Sequence, residues 1–469
     1  MYARRDQVQA QAYVNRRLIL AVLTADPDAP EVPTQRTTFG MIAGSVIMGL
    51  IVAGFAVFGL IVPGGSTAWR EPGALVLEKE TGATYLYVDG TLHPVRNHTS
   101  ARLLLGGEPN LVSVSRRSLD GTPHGPALGL PDAPESLPDP DALNHGPWSV
   151  CAGFRLDDTG VVTPLVSLIV AELPDTTEVA DDSAVLARAP DDSWYVIWRG
   201  TRLKVTRPWI PTALGLDPAT ALPVAASWLN AVPAGPDLAP PAVPGRGGAG
   251  RQLDGDQTRI GQLFAVRDVA GDQTYYLLRA DGLVQLSDLD AALVLADPDT
   301  AAAYPDGPVV ARPLSAATPA GALAPVTAGT GGDRPTALPR QVTVGAGQAA
   351  CVLATPATEG AQAELVLAAA AATTAAPVVA PAGSPADGRL ADRVRVAGSS
   401  GALIRPVVAP DVPGIAYFLV TDEGIKYPIP SQAVLLALGY DASDAVAMAP
   451  QLLSLLPTGP ALDLAPIVG

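Results

Sequence analysis

Adjacent acidic residues are the first candidates for chemistry in this sequence. Three pairs of neighbouring aspartates could supply a general acid and a general base: Asp157-Asp158, Asp181-Asp182 and Asp191-Asp192. Consecutive side chains on a strand point to opposite faces, so such a pair does not converge on one substrate. We therefore interpret all three pairs as solvated turns.

Two glycine-rich runs fit the pattern G-x-G-x-x-[GA] of dinucleotide-binding loops. Residues 245–250 (GRGGAG) lie in a Pro-rich stretch with no strand before them, and residues 345–350 (GAGQAA) run into Cys351-Val-Leu353. The latter segment has the composition of a strand, whereas the motif requires a helix there. The sequence also lacks G-x-x-x-x-G-K-[ST] and has no Gly-Lys dipeptide. We predict ordinary turns at both runs and no nucleotide site.

Metal-binding and hydrolase motifs are also missing from the sequence. It contains no HExxH, CxxC or G-x-S-x-G, and Asp254-Gly-Asp256 lacks the rest of an EF-hand loop. The four histidines fall in or near hairpins and Gly/Pro loops: His93, His98, His124 and His145. We interpret them as surface residues and predict no catalytic residue, no cofactor and no metal.

The composition limits the class of protein. The 469 residues include 46 acidic and 30 basic ones, a net charge of −16, which excludes the basic surface of a nucleic-acid-binding protein. Glycine (46) and proline (47) give a loop-rich chain, although one below the level of wholly disordered sequences. Aromatic residues are only 5%. We therefore expect the core to be divided among several small units.

One uncharged run predicts a membrane-spanning helix. No residue between Arg36 and Arg70 is charged, and residues 39–62 are almost continuously apolar. A helix of that length reaches about 36 Å and can cross a hydrocarbon core of about 30 Å. A buried helix and a cleaved signal peptide are the alternatives, but the run is long for a signal peptide and follows 38 residues. Gly40 and Gly44 have the G-x-x-x-G spacing of close helix packing.

The charges that flank this run predict its orientation. Five arginines precede it: Arg4, Arg5, Arg16, Arg17 and Arg36. The positive-inside rule then puts residues 1–38 in the cytosol and the region after residue 62 outside the membrane. Residues 5–24 read as an amphipathic helix that lies on lipid or docks on a partner. A frayed helix without a partner is the alternative.

The outer location changes what the two cysteines can do. Cys151 and Cys351 are the only cysteines in the sequence, and an oxidising compartment permits a disulfide between them. Two unrelated buried thiols are the alternative.

Four segments after the membrane run share one pattern. In each, an aromatic-led run of β-formers reaches a glycine turn, a short strand returns, and a helix-like stretch follows. The four hairpins occupy residues 85–95, 194–205, 275–286 and 417–429. A single hairpin is marginally stable, so the helix supplies the apolar face it needs. The sequence predicts four ββα-type repeats, spaced too irregularly for a regular solenoid.

The predicted fold is α+β: one N-terminal transmembrane helix, then an elongated extracytoplasmic region with the four repeats around a central mostly-β domain. The predicted divisions are a cytosolic segment (1–38), the transmembrane helix (39–62), repeat 1 (63–107), the first half of the central domain (108–185), repeat 2 (186–231), a linker (232–258), repeat 3 (259–300), the second half of the central domain (301–400), and repeat 4 with the C-terminal tail (401–469). The Pro and Gly content of residues 232–258 favours a mobile loop. The alanine-rich stretch 368–387 is a second soft segment.

Short motifs along nearly the whole chain occur in an order that is typical of one family. They include Arg5-Asp-Gln7, Tyr87-Val-Asp-Gly90, Leu92-His-Pro-Val95, Gly129-Leu-Pro-Asp-Ala-Pro134, Trp148-Ser-Val-Cys151 and Tyr417-Phe-Leu-Val-Thr-Asp422. With the predicted topology, this order resembles EccB, the single-pass membrane subunit of the actinobacterial type VII (ESX) secretion machinery. The chain departs from the family pattern in its weak second repeat and its alanine-rich insertions.

The resemblance implies a structural and assembly role without enzymatic activity. It implies a four-repeat outer region around a central domain that is bridged by a cysteine pair, which Cys151 and Cys351 match. The implied partners are a membrane-bound FtsK/SpoIIIE-type ATPase, a multi-spanning channel subunit, a further membrane subunit and a mycosin protease, and the outer domain is expected to self-associate above the channel. Some members are described as ATPases, so ATP hydrolysis is an alternative function. A cell-wall binding module is another.

Overall fold

The structure is a computed structural model, and it divides the chain into two units. It describes residues 4–25, 34–61, 67–156, 162–171, 173–269, 271–325, 333–356, 362–373, 376–377, 389–407 and 417–463. The first unit comprises residues Met1–Leu92 and Leu111–His124, and the second comprises His93–Asn110 and Gly125–Gly469.

The described residues form nine α-helices and 24 β-strands. The helices are α1 (Arg4–Thr24), α2 (Thr34–Ile61), α3 (His98–Leu105), α4 (Arg116–Leu119), α5 (Ile210–Ala213), α6 (Ala226–Ala231), α7 (Asp288–Ala296), α8 (Gln432–Ala437) and α9 (Pro450–Leu453). The first twelve strands are β1 (Ala74–Glu78), β2 (Thr84–Val88), β3 (Thr91–Pro94), β4 (Asn110–Val114), β5 (Trp148–Leu156), β6 (Val162–Val170), β7 (Thr177–Glu178), β8 (Ser183–Arg188), β9 (Trp194–Trp198), β10 (Thr201–Lys204), β11 (Leu222–Pro223) and β12 (Leu263–Arg267). The others are β13 (Gln273–Arg279), β14 (Gly282–Leu286), β15 (Arg312–Pro313), β16 (Arg340–Gln341), β17 (Gln348–Thr355), β18 (Gln362–Ala369), β19 (Ala376–Pro377), β20 (Arg393–Val396), β21 (Ala402–Pro406), β22 (Tyr417–Val420), β23 (Lys426–Ile429) and β24 (Val446–Met448).

Helix α2 contains residues 39–61 of the predicted membrane span, and residue 62 lies outside the described residues. Its segment Thr37–Phe58 has 22 residues with a mean hydropathy of 2.4, and none of its most apolar stretch is buried inside the protein. Leaving so many leucine, isoleucine and phenylalanine side chains in water would be unfavourable. By length and composition, this helix can cross a membrane.

Four sheets share one strand order, in which the third strand is followed by the second, the first and the fourth. These sheets are β3-β2-β1-β4, β10-β9-β8-β11, β14-β13-β12-β15 and β23-β22-β21-β24, and β16 also pairs with β8. In chain order a helix follows the third strand each time, namely α3, α5, α7 or α8. The fourth strand runs parallel to the first in the pairs β11–β8, β15–β12 and β24–β21.

The ββα description predicted from the sequence is therefore incomplete. Each hairpin is preceded by a further strand, and each helix is followed by another. The first strands give a weak sequence signal because they are buried on both faces, as in Ser183–Arg188, and so lack the alternation of a half-exposed strand. The fourth strands, of two to five residues, are too short to give a sequence signal.

The turns of these hairpins explain their glycines. Asp89 and Gly90 both have positive φ angles, of 47° and 84°, and Arg199 and Gly200 have 48° and 70°. Two consecutive residues in that region give the type I′ turn, whose twist matches that of the flanking strands.

A seven-stranded sheet shares one hydrophobic core with the second and fourth of these sheets. Its order is β19-β20-β6-β5-β17-β18-β7, so it combines strands from both predicted halves of the central domain. One face carries Trp148, Val150 and Val352 into a core shared with Trp228 of α6 and Leu453 of α9. The Trp228 indole N–H donates a hydrogen bond of 3.1 Å to the Val150 carbonyl.

Extended Pro-rich segments cover the outer strand of each four-stranded sheet. Parallel bridges join residues of the third strands, or the residue directly after the strand, to these segments: Leu92 to His124, Val95 to Leu128, Arg202 to Ala234, Val205 to Leu238, Leu283 to Leu323 and Lys426 to Thr458. A proline cannot donate to a sheet ladder, so a Pro-rich segment can pair through alternate residues and still terminate the sheet.

This pairing changes the interpretation of residues 232–258. Val232, Leu238 and Leu253 are buried, and the Leu238 N–H donates to the Lys204 carbonyl at 2.7 Å. Residues 233–238 therefore form a covered sheet edge, where the composition favoured an open linker. The alanine-rich stretch 368–387 lies mostly outside the described residues.

The sheets also extend past several predicted boundaries. Strand β4 lies beyond residue 107, β8 begins before residue 186, and β15 lies beyond residue 300. Each of these strands belongs to a repeat sheet, although the prediction assigned β4, β15 and the first three residues of β8 to the central domain.

Candidate functional site

The two cysteines form a disulfide across the central sheet. Cys151 on β5 and Cys351 on β17 are direct partners in the antiparallel register, with a Cα–Cα distance of 4.0 Å. Both are buried, with Ile169 and Val366 beside them. Of the two alternatives that the sequence left open, the structure has the disulfide. It joins residues 200 apart in the chain, one from each predicted half of the central domain.

Two of the three aspartate pairs lie in turns, and each of their carboxylates is engaged locally. Asp181 and Asp182 bind different arginines, Arg199 at 2.7 Å and Arg340 at 2.6 Å. Hydrogen bonds from Arg340 and then from Ser183 lower the pKa of Asp182. A carboxylate held in its ionised form cannot act as a general acid at neutral pH.

The pair at residues 191–192 behaves in the same way. Asp191 accepts hydrogen bonds from the Ser193 hydroxyl and N–H, which lower the pKa of Asp191. Asp192 lies 2.5 Å from the Arg188 guanidinium. Residues 157–158, the remaining pair, fall outside the described residues.

The carboxylates of Asp254 and Asp256 tie two loops together. Asp254 accepts hydrogen bonds from the Thr318 hydroxyl and, at 2.7 Å, from the Ser315 N–H. These bonds, that of Thr318 first, lower the pKa of Asp254. Asp256 lies 2.8 Å from Arg312. The described histidine, cysteine, aspartate and glutamate side chains include no group of three that could hold a metal ion.

The glycine run at residues 245–250 has its N–H groups occupied. Gly247 donates to the Ile260 carbonyl at 2.8 Å, and Gly250 donates to the Thr258 carbonyl at 2.8 Å. A phosphate loop needs such N–H groups free to point at its ligand. At residues 345–350 the chain enters strand β17 at Gln348, as predicted, so no helix N-terminus is present there.

Three of the four histidines contact different partners, and the fourth is exposed. His93 lies 3.0 Å from the Pro126 carbonyl, His124 makes an edge contact with the Tyr85 ring, and His98 lies 3.8 Å from Glu108. His145 is exposed. None of these arrangements joins a histidine to a nucleophile.

A buried polar network at Asn97 was not predicted from the sequence. The Asn97 side chain caps α3 by accepting from the Ser100 N–H at 2.8 Å, and it donates to the Leu130 carbonyl at 2.9 Å. The Ser100 hydroxyl in turn accepts from the Leu130 N–H. An asparagine three residues before a serine is an N-cap signal that could have identified the helix start.

Exposed apolar surfaces lie on the two N-terminal helices, α1 and α2. Six large apolar side chains on α1 are exposed: Val8, Tyr13, Val14, Leu18, Ile19 and Val22. On α2, a side chain added at Gly40 or Gly44 would meet no atom within 4 Å. These helices therefore present surfaces for lipid or for other proteins.

A comparison with known protein families finds a match over nearly the full length of the chain. The profile of the family described as type VII secretion system ESX-1, transport TM domain B, matches residues 1–466. The "ESX-3 secretion system ATPase EccB3" of Mycolicibacterium smegmatis is 30% identical over 306 residues, which are 62% of this chain and 57% of that protein. The aligned region thus spans little more than half the length of that relative.

Two solved structures have the same fold. A chain of the "intact ESX-5 inner membrane complex" matches with a TM-score of 0.67 at 24% identity, covering 100% of this chain and 95% of that one. A chain of the "EccB3 dimer from the ESX-3 core complex" matches with a TM-score of 0.65 at 27% identity, covering 84% of this chain and 99% of that one.

Proposed function

Because the chain belongs to the EccB family, we propose that it is a structural subunit of a type VII secretion complex in the cell membrane. The observation that carries this proposal is the family match over residues 1–466, which includes both the membrane helix and the sheet-rich region. The EccB relatives with solved structures are components of ESX membrane complexes.

In the proposed topology, residues 1–38 are cytosolic and the sheets lie outside the membrane. The five arginines before α2 support this orientation through the positive-inside rule, and the Cys151–Cys351 disulfide fits an oxidising outer compartment. Because both native cysteines are paired in the disulfide, a thiol reagent reacts only with a cysteine that has been added. Gln9→Cys should resist an impermeant thiol reagent in intact cells, whereas Ala249→Cys, at an exposed position, should react.

The sheet-rich region is proposed to self-associate above the channel. One solved relative is a dimer, and the disulfide links two adjacent strands of the central sheet. The proposed partners are the FtsK/SpoIIIE-type ATPase, the multi-spanning channel subunit, a further membrane subunit and the mycosin protease of such complexes, contacted in part through α1 and α2.

An export assay in a strain that lacks the gene for this chain tests the proposed function. Deleting the gene for this chain should stop export of type VII substrates, and the full-length chain should restore it. A chain without residues 67–469 should insert in the membrane but leave export blocked. Normal export in the deletion strain would overturn the proposal.

The second candidate function is ATP hydrolysis, which the name of the smegmatis relative favours. The occupied glycine N–H groups at residues 247 and 250, and the strand after residue 347, argue against a nucleotide loop at these runs. Titration of ATP into the purified full-length chain distinguishes the enzymatic function from the structural one. Saturable micromolar binding with ADP release, both abolished by one point substitution, would favour the enzyme.

A further inference from the structure

A small cavity on the central sheet collects positive charge in an otherwise acidic protein. It measures about 210 Å³ and is lined mainly by Gly153, Arg155, Leu165, Ser167, Thr373 and Arg393. Among the residues that the structure describes, its lining contains no carboxylate. We propose that this cavity binds a phosphate group, either as a free anion or as the terminal phosphate of a larger molecule.

Strand register brings the two arginines to the same face of the sheet. Arg393 on β20 is the partner of Ser167 on β6, and Ser167 is the partner of Cys151 on β5. Arg155 lies four residues beyond Cys151 on β5, and side chains two or four residues apart share a face. Gly153 and Leu165 are partners in the row between the two arginines, and all four residues line the cavity.

The floor of the cavity is open because Gly153 has no side chain. A Cβ atom built at Gly153 would meet no other atom within 4 Å. The backbone at this position is not in the left-handed region, so strand geometry alone would tolerate a β-branched residue there. Glycine therefore leaves space for a ligand on a strand that does not require it for its backbone.

The charges of the cavity are unmatched within the described residues of the chain. Neither Arg155 nor Arg393 forms a hydrogen bond or ion pair through its side chain with those residues. Elsewhere in the same unit, Arg246 and Arg334 contact Asp297 and Asp290 at 2.7 and 2.5 Å. Since arginine stays protonated, the cavity is positive at every physiological pH.

A phosphomonoester fits this arrangement better than a carboxylate. It carries about 1.5 to 2 negative charges at neutral pH, which two guanidinium groups neutralise, and it accepts paired hydrogen bonds from each. The buried Ser167 hydroxyl makes no hydrogen bond to the described residues and can donate to a third oxygen. The Thr373 hydroxyl already donates to the Ala370 carbonyl at 2.8 Å, so Ser167 is the available neutral donor.

Calorimetric titration of the detergent-purified full-length chain tests this proposal. The probes are inorganic phosphate, glycerol 3-phosphate and dihexanoyl phosphatidic acid. We expect saturable binding with Kd below about 1 mM. Equal affinity for the last two probes would identify the phosphate alone as the ligand, and at least tenfold tighter binding of phosphatidic acid would identify a lipid headgroup.

Matched variants distinguish binding in the cavity from nonspecific attraction of the anion to positive charge. Arg155→Gln and Arg393→Gln should each weaken binding about tenfold or more. Gly153→Val keeps both charges but fills the floor, and it should abolish binding. Arg405→Gln removes an exposed arginine from β21 and should change Kd less than twofold. Thermal unfolding of each variant verifies folding. No saturable binding of any probe, or equal losses in Arg405→Gln and the cavity variants, would overturn the proposal.

Discussion

The disulfide is the feature at the residue scale with the largest expected effect on stability. Cys151→Ser should lower the free energy of unfolding by roughly 2–5 kcal/mol, because it removes a constraint between residues 200 apart. Denaturant unfolding measures the loss, and α2 should remain inserted in the membrane. The double variant Cys151→Ser/Cys351→Ser is the control, since its cost should be close to that of either single variant. Additive losses would mean that the two residues act independently.

The lowered pKa of Lys426 predicts the direction in which the free energy of unfolding changes with pH. Burial lowers its pKa from 10.5 to about 8, and its ammonium group donates to the Leu453 carbonyl. Between those pH values the unfolded chain holds a proton that the folded chain has released, so stability from this group rises with pH across that window and is lowest below it.

Lys426→Met should remove this rise, and denaturant unfolding at pH 7.5, 9 and 10 should show it. Lys79→Met, at an exposed lysine, is the control and should retain the wild-type slope. Identical slopes in all three proteins would contradict the assignment of the pH dependence to Lys426.

Only some of the features of individual residues could be predicted from the sequence. The compartment permitted a disulfide, and the family resemblance implied it, but only strand register shows that residues 151 and 351 are opposite each other. The burial of Lys426 and of Asn97 has no local sequence signal, because it depends on segments about 30 residues away, at Leu453 and Leu130.

At the scale of elements, the hairpins and the membrane helix could be predicted because each has a local signal. Glycine turns, aromatic-led strands and an uncharged run are visible within short windows. The first and fourth strands of the sheets, and the Pro-rich edge segments, depend on pairing between distant residues. Composition therefore suggested a linker at residues 232–258, where the structure has a covered sheet edge.

That covered edge predicts a specific steric effect. A Cβ atom at Gly235 would lie 2.6 Å from the Leu203 side chain and 2.7 Å from that of Thr201. Gly235→Val should therefore push residues 233–238 away from β10 and destabilise the chain by about 1–3 kcal/mol. Gly307→Val is the control, because no atom lies within 4 Å of its Cβ position. Equal unfolding midpoints for the two variants would show that the segment does not pack against β10.

At the scale of the whole molecule, we expect different parts of the chain to carry two tasks. The N-terminal helices should anchor the chain to the membrane complex, and the sheets of neighbouring copies should associate with one another outside the membrane. Deleting residues 5–24 should release the chain from its membrane complex and leave the sheets folded, since the described cores of the sheets contain no residue of α1.

Val14→Asp/Leu18→Asp should have the same effect as the deletion, because both side chains are exposed apolar groups on α1. Gln11→Asp is the control on the polar positions of the same helix. Migration of the complexes on native gels measures the result, and full-size complexes in the Val14/Leu18 variant would contradict the anchoring role.

Affinity purification of the tagged full-length chain from native membranes, with mass spectrometry of the co-purifying proteins, tests the proposed role most directly. We expect a membrane-bound FtsK/SpoIIIE-type ATPase and a multi-spanning channel subunit to be recovered with it in reproducible ratios. Recovery of the chain alone, under conditions that keep other membrane complexes intact, would contradict its assignment as a structural subunit of a secretion complex.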